Sequence, residues 1–148
     1  MRCNAGVPPS VLTDQHLIAE YRELLIPLGQ LKSLGFKSKA SAPSKLKLGT
    51  GHVTFWRDKQ LYLARRHNGL VQEMLIRGFK PNLTFWDLKD VPGELKNDWV
   101  PSIEDTILLR DRIAEKICMK PSWYRIKGKS LVDVGRYMEL LYYSKIEL

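Results

Sequence analysis

Residues 14–24 read DQHLIAEYREL, and the spacing of their apolar side chains decides how the chain is read. Leu17, Ile18, Tyr21, Leu24 and, one residue on, Leu25 recur at the three- and four-residue intervals of one helical face. His16, Glu20 and Glu23 fall on a neighbouring stripe at intervals of four and three. The apolar set marks a helix that packs on a core. The polar set is either a solvated face or a group held together for chemistry, and the stripe alone leaves both open.

Outward from this helix, the same period recurs twice. The first helix starts at Thr13 or Asp14, both good N-caps, and runs toward Pro27, which should disturb or end it. Residues 29–51 are rich in Gly, Ser and Lys and read as a long basic connection. A second helix is expected from about His52 or Asp58 to Arg77, with Gly78 as its stop and Leu61, Ala64, Val71, Met74 and Leu75 as most of its apolar stripe. Residues 80–101 are broken by prolines and read as irregular. A third helix is expected over Ser102–Met119, ended by Lys120–Pro121. Residues 130–148 carry the spacing of a short amphipathic helix through Val134, Tyr137, Met138 and Leu141, although Gly135 weakens it by about 1 kcal/mol. No repeat and no alternating strand pattern is present. The expectation is one all-α domain over residues 1–148, with about three main helices and long irregular loops.

Composition narrows the function. The chain has 148 residues, with 24 Lys and Arg against 16 Asp and Glu, a net charge of +8. A compact domain this basic usually meets a polyanion, either nucleic acid or an acidic membrane surface. No stretch approaches the roughly 20 apolar residues of a membrane helix, and Pro8 and Pro9 interrupt any signal-peptide pattern. Cys3 and Cys118 are too few for a disulfide framework, which favours a reducing cytoplasm. None of the three histidines stands at zinc-ligand spacing from a cysteine. No second Glu-x-x-His unit turns His16, Glu20 and Glu23 into a bundle-type metal site. The glycines of LGTGHVTFW (48–56) lack the Gly-Lys-Ser/Thr ending of a phosphate loop.

The cations are ordered. Arg112, Lys116 and Lys120 form one stripe on the third helix, and PSWYRIKGK (121–129) alternates Trp123 and Tyr124 with Arg125, Lys127 and Lys129. Cations neutralise phosphates while rings stack on bases, so the pattern suits DNA; for Trp123 itself, closing the core is the favoured reading.

Four motifs in order, LTDQHLIAEYREL (12–24), LGTGHVTFWRDK (48–59), RGF (77–79) and RIAEKICMKPSWYRIKGK (112–129), resemble the bacteriophage-type pyrimidine-dimer DNA glycosylase, the denV-type endonuclease V family. The resemblance runs with gaps from Arg2 to about Lys129. It implies a compact, metal-independent helical enzyme without a cofactor. Such an enzyme cuts the glycosidic bond of the 5′ pyrimidine of a cyclobutane dimer in duplex DNA, then nicks the abasic site by β-elimination. The family's nucleophile is its terminal α-amine, which forms a Schiff base with the sugar C1′. The carboxylate of its YRE motif, here Glu23, is the acid or base. An α-amine titrates about two units below a lysine side chain in water, so more of it is the neutral nucleophile at pH 7.

Carried over by position, Arg2 lies near the nucleophile. Gln15, His16 and Arg22 line the DNA-facing side of the first helix. Arg112 and Lys116 form the basic pair, Tyr124, Arg125 and Lys129 belong to the DNA-binding tail, and Glu20 is a structural partner. The family start is Met-Thr-Arg-x-Asn, whereas Met1-Arg2-Cys3-Asn4 here lacks the threonine. Arg2 is too large for methionine trimming, so the expected nucleophile is the Met1 α-amine. Ile26 replaces a family arginine and His67 a glutamine. The lesion, pyrimidine dimer or ring-opened purine, stays open. The expected partners are damaged or abasic duplex DNA, met by a monomer. The rival reading is a non-catalytic basic helical protein that binds distorted DNA.

Overall fold

The computed structural model describes residues 1–37 and 42–148. It is mainly helical. The helices are α1 (Asp14–Glu23), α2 (Ile26–Ser33), α3 (His52–Trp56), α4 (Gln60–Ile76), α5 (Ile103–Met119) and α6 (Val134–Tyr143). Arg125–Ile126 (β1) and Lys129–Ser130 (β2) pair antiparallel, Arg125 opposite Ser130 and Ile126 opposite Lys129.

Thr13 caps α1, its hydroxyl accepting from the His16 N–H. Ser102 and Asp105 cap α5 reciprocally as a capping box. Asp133 caps α6, so the C-terminal amphipathic pattern is a helix. The first helix, however, does not run to Pro27. It ends at Glu23, and Pro27 stands in the first turn of α2, where a missing N–H costs nothing. The connection expected over residues 29–51 is therefore partly helical, and its residues 38–41 lie outside the described residues. From the His52 start the second expected helix is two, α3 and α4, separated at Arg57–Lys59; the Asp58 start lies two residues before α4. Trp56, fully buried, stacks on Tyr62 at 5.5 Å and meets Trp99 edge-on at 5.0 Å, which braces that elbow from inside.

The apolar stripe expected on α4 holds at Val71 and Met74, with Ala64 half-buried, and fails at Leu61 and Leu75. Leu61 and Leu75 are exposed, while Tyr62, Leu63, Leu70, Val71 and Met74 are buried together with Arg66, His67 and Glu73. Polar residues inside the helix face disguised it. Arg77, which ends α4, explains how one such charge is accommodated. Its guanidinium is covered, pairs with Asp14 and Glu73 at 2.9 Å each, and donates to the carbonyl of Leu12 at 2.7 Å. It thus ties the turn before α1 to the end of α4.

The N-terminal segment is part of the core, unlike most chain ends. Cys3, Ala5 and Val7 are fully buried and belong to the same apolar cluster as Leu17, Leu24, Leu63, Leu70, Leu109 and Ile113. Gly6 holds φ at +80°, and a Cβ there would meet Thr106 Cγ2 at 2.5 Å. Both the backbone angle and the space therefore require glycine.

Candidate active site

Glu20 and Glu23 project from the same side of α1 into different surroundings. Glu20 is fully buried. Its carboxylate accepts from Arg66 Nε at 2.7 Å and Nη2 at 3.0 Å, and from Asn4 Nδ2 at 2.9 Å. Burial alone would lower the Arg66 pKa, but the Glu20 charge more than offsets this and holds it above the usual value. Arg66 also donates to the Val7 carbonyl at 2.7 Å. The pair is closed, satisfied and out of reach of solvent.

Glu23 faces the chain start. The backbone N–H of Arg2 donates to Oε2 at 2.6 Å, and the Arg2 guanidinium donates to Oε1 at 2.8 Å. The carboxylate is 29% exposed and its partner 46%. Covalent geometry keeps the nitrogen of residue 1 within about 3.7 Å of that of residue 2, and so within about 6 Å of the Glu23 carboxylate. Met1 is half-buried against the core cluster. The arrangement puts the backbone nitrogen of Met1, a carboxylate and a guanidinium at one rim.

Beside this rim lies a cleft. A cavity of about 90 Å³ is lined by Arg2, Asn4, His16, Arg112, Ile113 and Lys116. An adjoining one of about 200 Å³ is lined by Arg2, Gln15, His16, Lys116, Trp123 and Tyr124, with Ala19. The basic stripe of α5 thus meets the polar stripe of α1 across a shallow, positively charged groove.

The residues expected to face DNA divide into outer and inner sets. Arg2, Lys116, Arg125 and Lys129 are exposed. His16 is buried, its Nδ1 2.7 Å from the Thr13 hydroxyl and its ring stacked on Tyr124 at 4.9 Å. Burial, with Arg2 and Arg112 nearby, lowers its pKa to about 4, so it is neutral at pH 7. Tyr124 is buried as well. Trp123, expected to close the core, is instead 56% exposed; Tyr124 takes the inward position because its ring has the His16 face to cover. Gln15 donates to the Trp123 carbonyl at 2.6 Å and accepts from the Arg125 N–H at 3.0 Å, so it acts on the loop as well as lining the cleft. Arg22 is exposed and lines a separate recess of about 210 Å³ with Tyr21, Phe79, Lys80, Pro81 and Asn82, among others.

Sequence reasoning missed the supports. Asp14, buried at the start of α1, accepts from the backbone N–H groups of Lys127 (3.0 Å) and Gly128 (2.8 Å), which fixes the basic hairpin. Lys127 and Gly128 both hold positive φ, 51° and 75°, the signature of a tight two-residue turn. The Lys-Gly pair between two short β-capable runs was its signal in the sequence. Arg66 had none, since its partner lies 46 residues away. Among the described residues no three His, Cys, Asp or Glu side chains gather as metal ligands, and no helix is long and apolar enough to cross a membrane.

Residues 4–87, more than half of the chain, match the family model described as pyrimidine dimer DNA glycosylase. The matched span holds Asn4, Glu20, Glu23, Arg66 and Arg77. Met1, Arg2, α5 and the hairpin lie outside it.

Proposed function

The chain belongs to the pyrimidine dimer DNA glycosylase family, a DNA repair family, and from that membership we propose a bifunctional reaction run by the Met1 α-amine and Glu23. The observation that carries this reading is the 2.6 Å hydrogen bond from the Arg2 N–H to Glu23. It ties the residue next to the amine to the only half-exposed carboxylate of the α1 stripe.

In the first step the neutral amine attacks the sugar C1′ of the 5′ pyrimidine of a cyclobutane dimer. A C1′–N bond forms to the protein and the glycosidic bond breaks, the base leaving with the electron pair. Glu23 stabilises the cationic character that develops at C1′ and takes the proton the amine gives up. Opening of the C1′–O4′ bond, with that proton returned to O4′, leaves an imine. Loss of a C2′ proton and departure of the 3′ phosphate then cut the strand by β-elimination. Water releases the protein from the imine. The same sequence, entered at the imine stage, nicks a plain abasic site.

The groove supplies the DNA contacts. Arg2, Arg112, Lys116, Arg125 and Lys129 meet phosphates, and Gln15 and Arg22 flank them from α1. The His16–Tyr124 stack forms the inner wall of the groove rather than a cationic contact, because His16 is neutral at working pH. Trp123, exposed beside Lys116, offers the ring face that Tyr124 does not. A damaged step stacks poorly and is the cheapest place to open the duplex. One chain carries every group this reaction uses, which fits a monomer.

The test is cutting of a duplex that bears one thymine dimer, beside abasic and undamaged duplexes. Cutting of the first two and sparing of the third is the expected result. Cutting of the abasic duplex alone would keep the lyase and move the glycosylase to another lesion. Tight binding without cutting of either would favour the non-catalytic reading.

A further inference from the structure

The last five residues cross the chain start rather than trailing into solvent. The Glu147 N–H donates to the Gly6 carbonyl at 2.9 Å. The Glu147 carboxylate pairs with Arg66 at 2.9 Å, and a Cβ built on Gly6 would lie 3.5 Å from Ile146 Cγ2. Arg65 donates to the Leu148 carbonyl. The tail is held in turn by α6: Arg110 donates to the carbonyls of Leu141 (2.8 Å) and Ser144 (2.9 Å), and the Tyr137 hydroxyl donates to the Val11 carbonyl at 2.8 Å. Residues 3–7 are consequently gripped between α5 on one side and the tail on the other.

The contacts form one chain of polar links, Glu147 to Arg66, Arg66 to Glu20, and Glu20 to Asn4. Asn4 lies two residues from the Arg2 that Glu23 holds. We propose that the C-terminal segment is a brace that fixes the chain start in the active site, with Glu147 as its positioning residue. This rests on the reading that the α-amine is the nucleophile. It assigns a role to residues 130–148, which the family match does not reach. Glu147 touches no reacting atom; it acts by denying residues 3–7 the freedom to lift away.

Cys3 reports that freedom. It is fully buried, whereas Cys118, the other of the two cysteines, is exposed. In a Cys118→Ser background the Cys3 thiol should label slowly with a thiol reagent. Glu147→Ala is expected to raise that rate about ten-fold through local opening. It is also expected to slow single-turnover cutting of the dimer duplex by about ten-fold or more, because small misplacements of a reacting group are costly. Duplex affinity should stay within about two-fold, since the phosphate-facing cations are untouched. Arg66 keeps Glu20 in this variant, so the fold should hold. If Glu147→Ala does not fold, Glu147→Gln keeps the shape, removes the charge and carries the same test. Unchanged Cys3 labelling would overturn the brace. Faster labelling with an unchanged cutting rate would overturn its positioning role. If the parent protein does not cut at all, the active-site reading fails, while the labelling arm still decides whether the brace exists.

Discussion

Glu20 and Glu23 are the same residue type, three positions apart on one helix, and the molecule treats them oppositely. Glu20 is sealed against Arg66 and Asn4, with every oxygen satisfied from inside. Glu23 is left half-open at a rim, held by the backbone N–H and guanidinium of Arg2. A buried ion pair contributes little net stability over an apolar substitute, yet removing one partner strands a charge. A half-exposed carboxylate costs little to remove but is available to a substrate. The same side-chain chemistry is thus a structural fixture in one place and, in the proposed reaction, a reagent in the other, and the difference is made by which distant segments fold over it.

The two carboxylates should differ most in activity at Glu23. Glu23→Gln is expected to lower dimer-duplex cutting by about 10²- to 10⁴-fold, the usual worth of a positioned acid or base. Its melting temperature should stay close to that of the parent, and its binding to the duplex should persist. Parental turnover by this variant would move the reagent role elsewhere. The mirror experiment is Arg66→Ala, which strands Glu20. About 3–5 kcal/mol of unfolding free energy should be lost in denaturant titration. A loss under about 1 kcal/mol would mean that the pair is not the fixture described.

Acidity probes the inner wall of the groove. Burial lowers the pKa of His16 to about 4, and burial lowers those of His52 and His67 as well. The unfolded chain therefore binds protons near pH 6.5 that the folded chain refuses. Stability should be full above that pH and fall as pH drops from about 6.5 toward 4, by about 3 kcal/mol for His16 alone. NMR titration of the His16 ring with a midpoint near 6.5 would contradict the burial argument. The smallest effect belongs to the open side of the groove. Lys116→Ala should weaken duplex binding and flatten its salt dependence by about one counterion, and an unchanged slope would remove Lys116 from the interface.

How legible these regions were in the sequence follows from the same contrast. α1 and α5 could be read because their apolar stripes and caps are local. α2 was hidden because Pro27 ends a helix from within and begins one from its first turn, and only the surroundings decide which. The stripe of α4 was partly misplaced because Arg66, His67 and Glu73 face inward: Arg66 pairs with Glu20 of α1, the His67 ring stacks on Tyr21, and Glu73 pairs with Arg77 at the end of its own helix. The hairpin was missed because Lys127–Gly128 lacks the Asn or Asp that usually announces such a turn. The cations of α5 and of the hairpin were legible from their own spacing, whereas the role of Glu23 came through the resemblance, whose motifs are contiguous. Their supports, Asn4, Asp14, Arg66 and Glu147, are linked only by contacts up to 114 residues apart, as between Asp14 and Gly128, and spacing along the chain carries no trace of those.

The most direct test of the account is borohydride trapping on the single-dimer duplex, with the first residue of the protein confirmed by mass spectrometry. A reduced covalent adduct is expected that maps to the Met1 α-amine and vanishes when that amine is acetylated. An adduct mapped to a lysine, or efficient cutting by the acetylated protein, would contradict it.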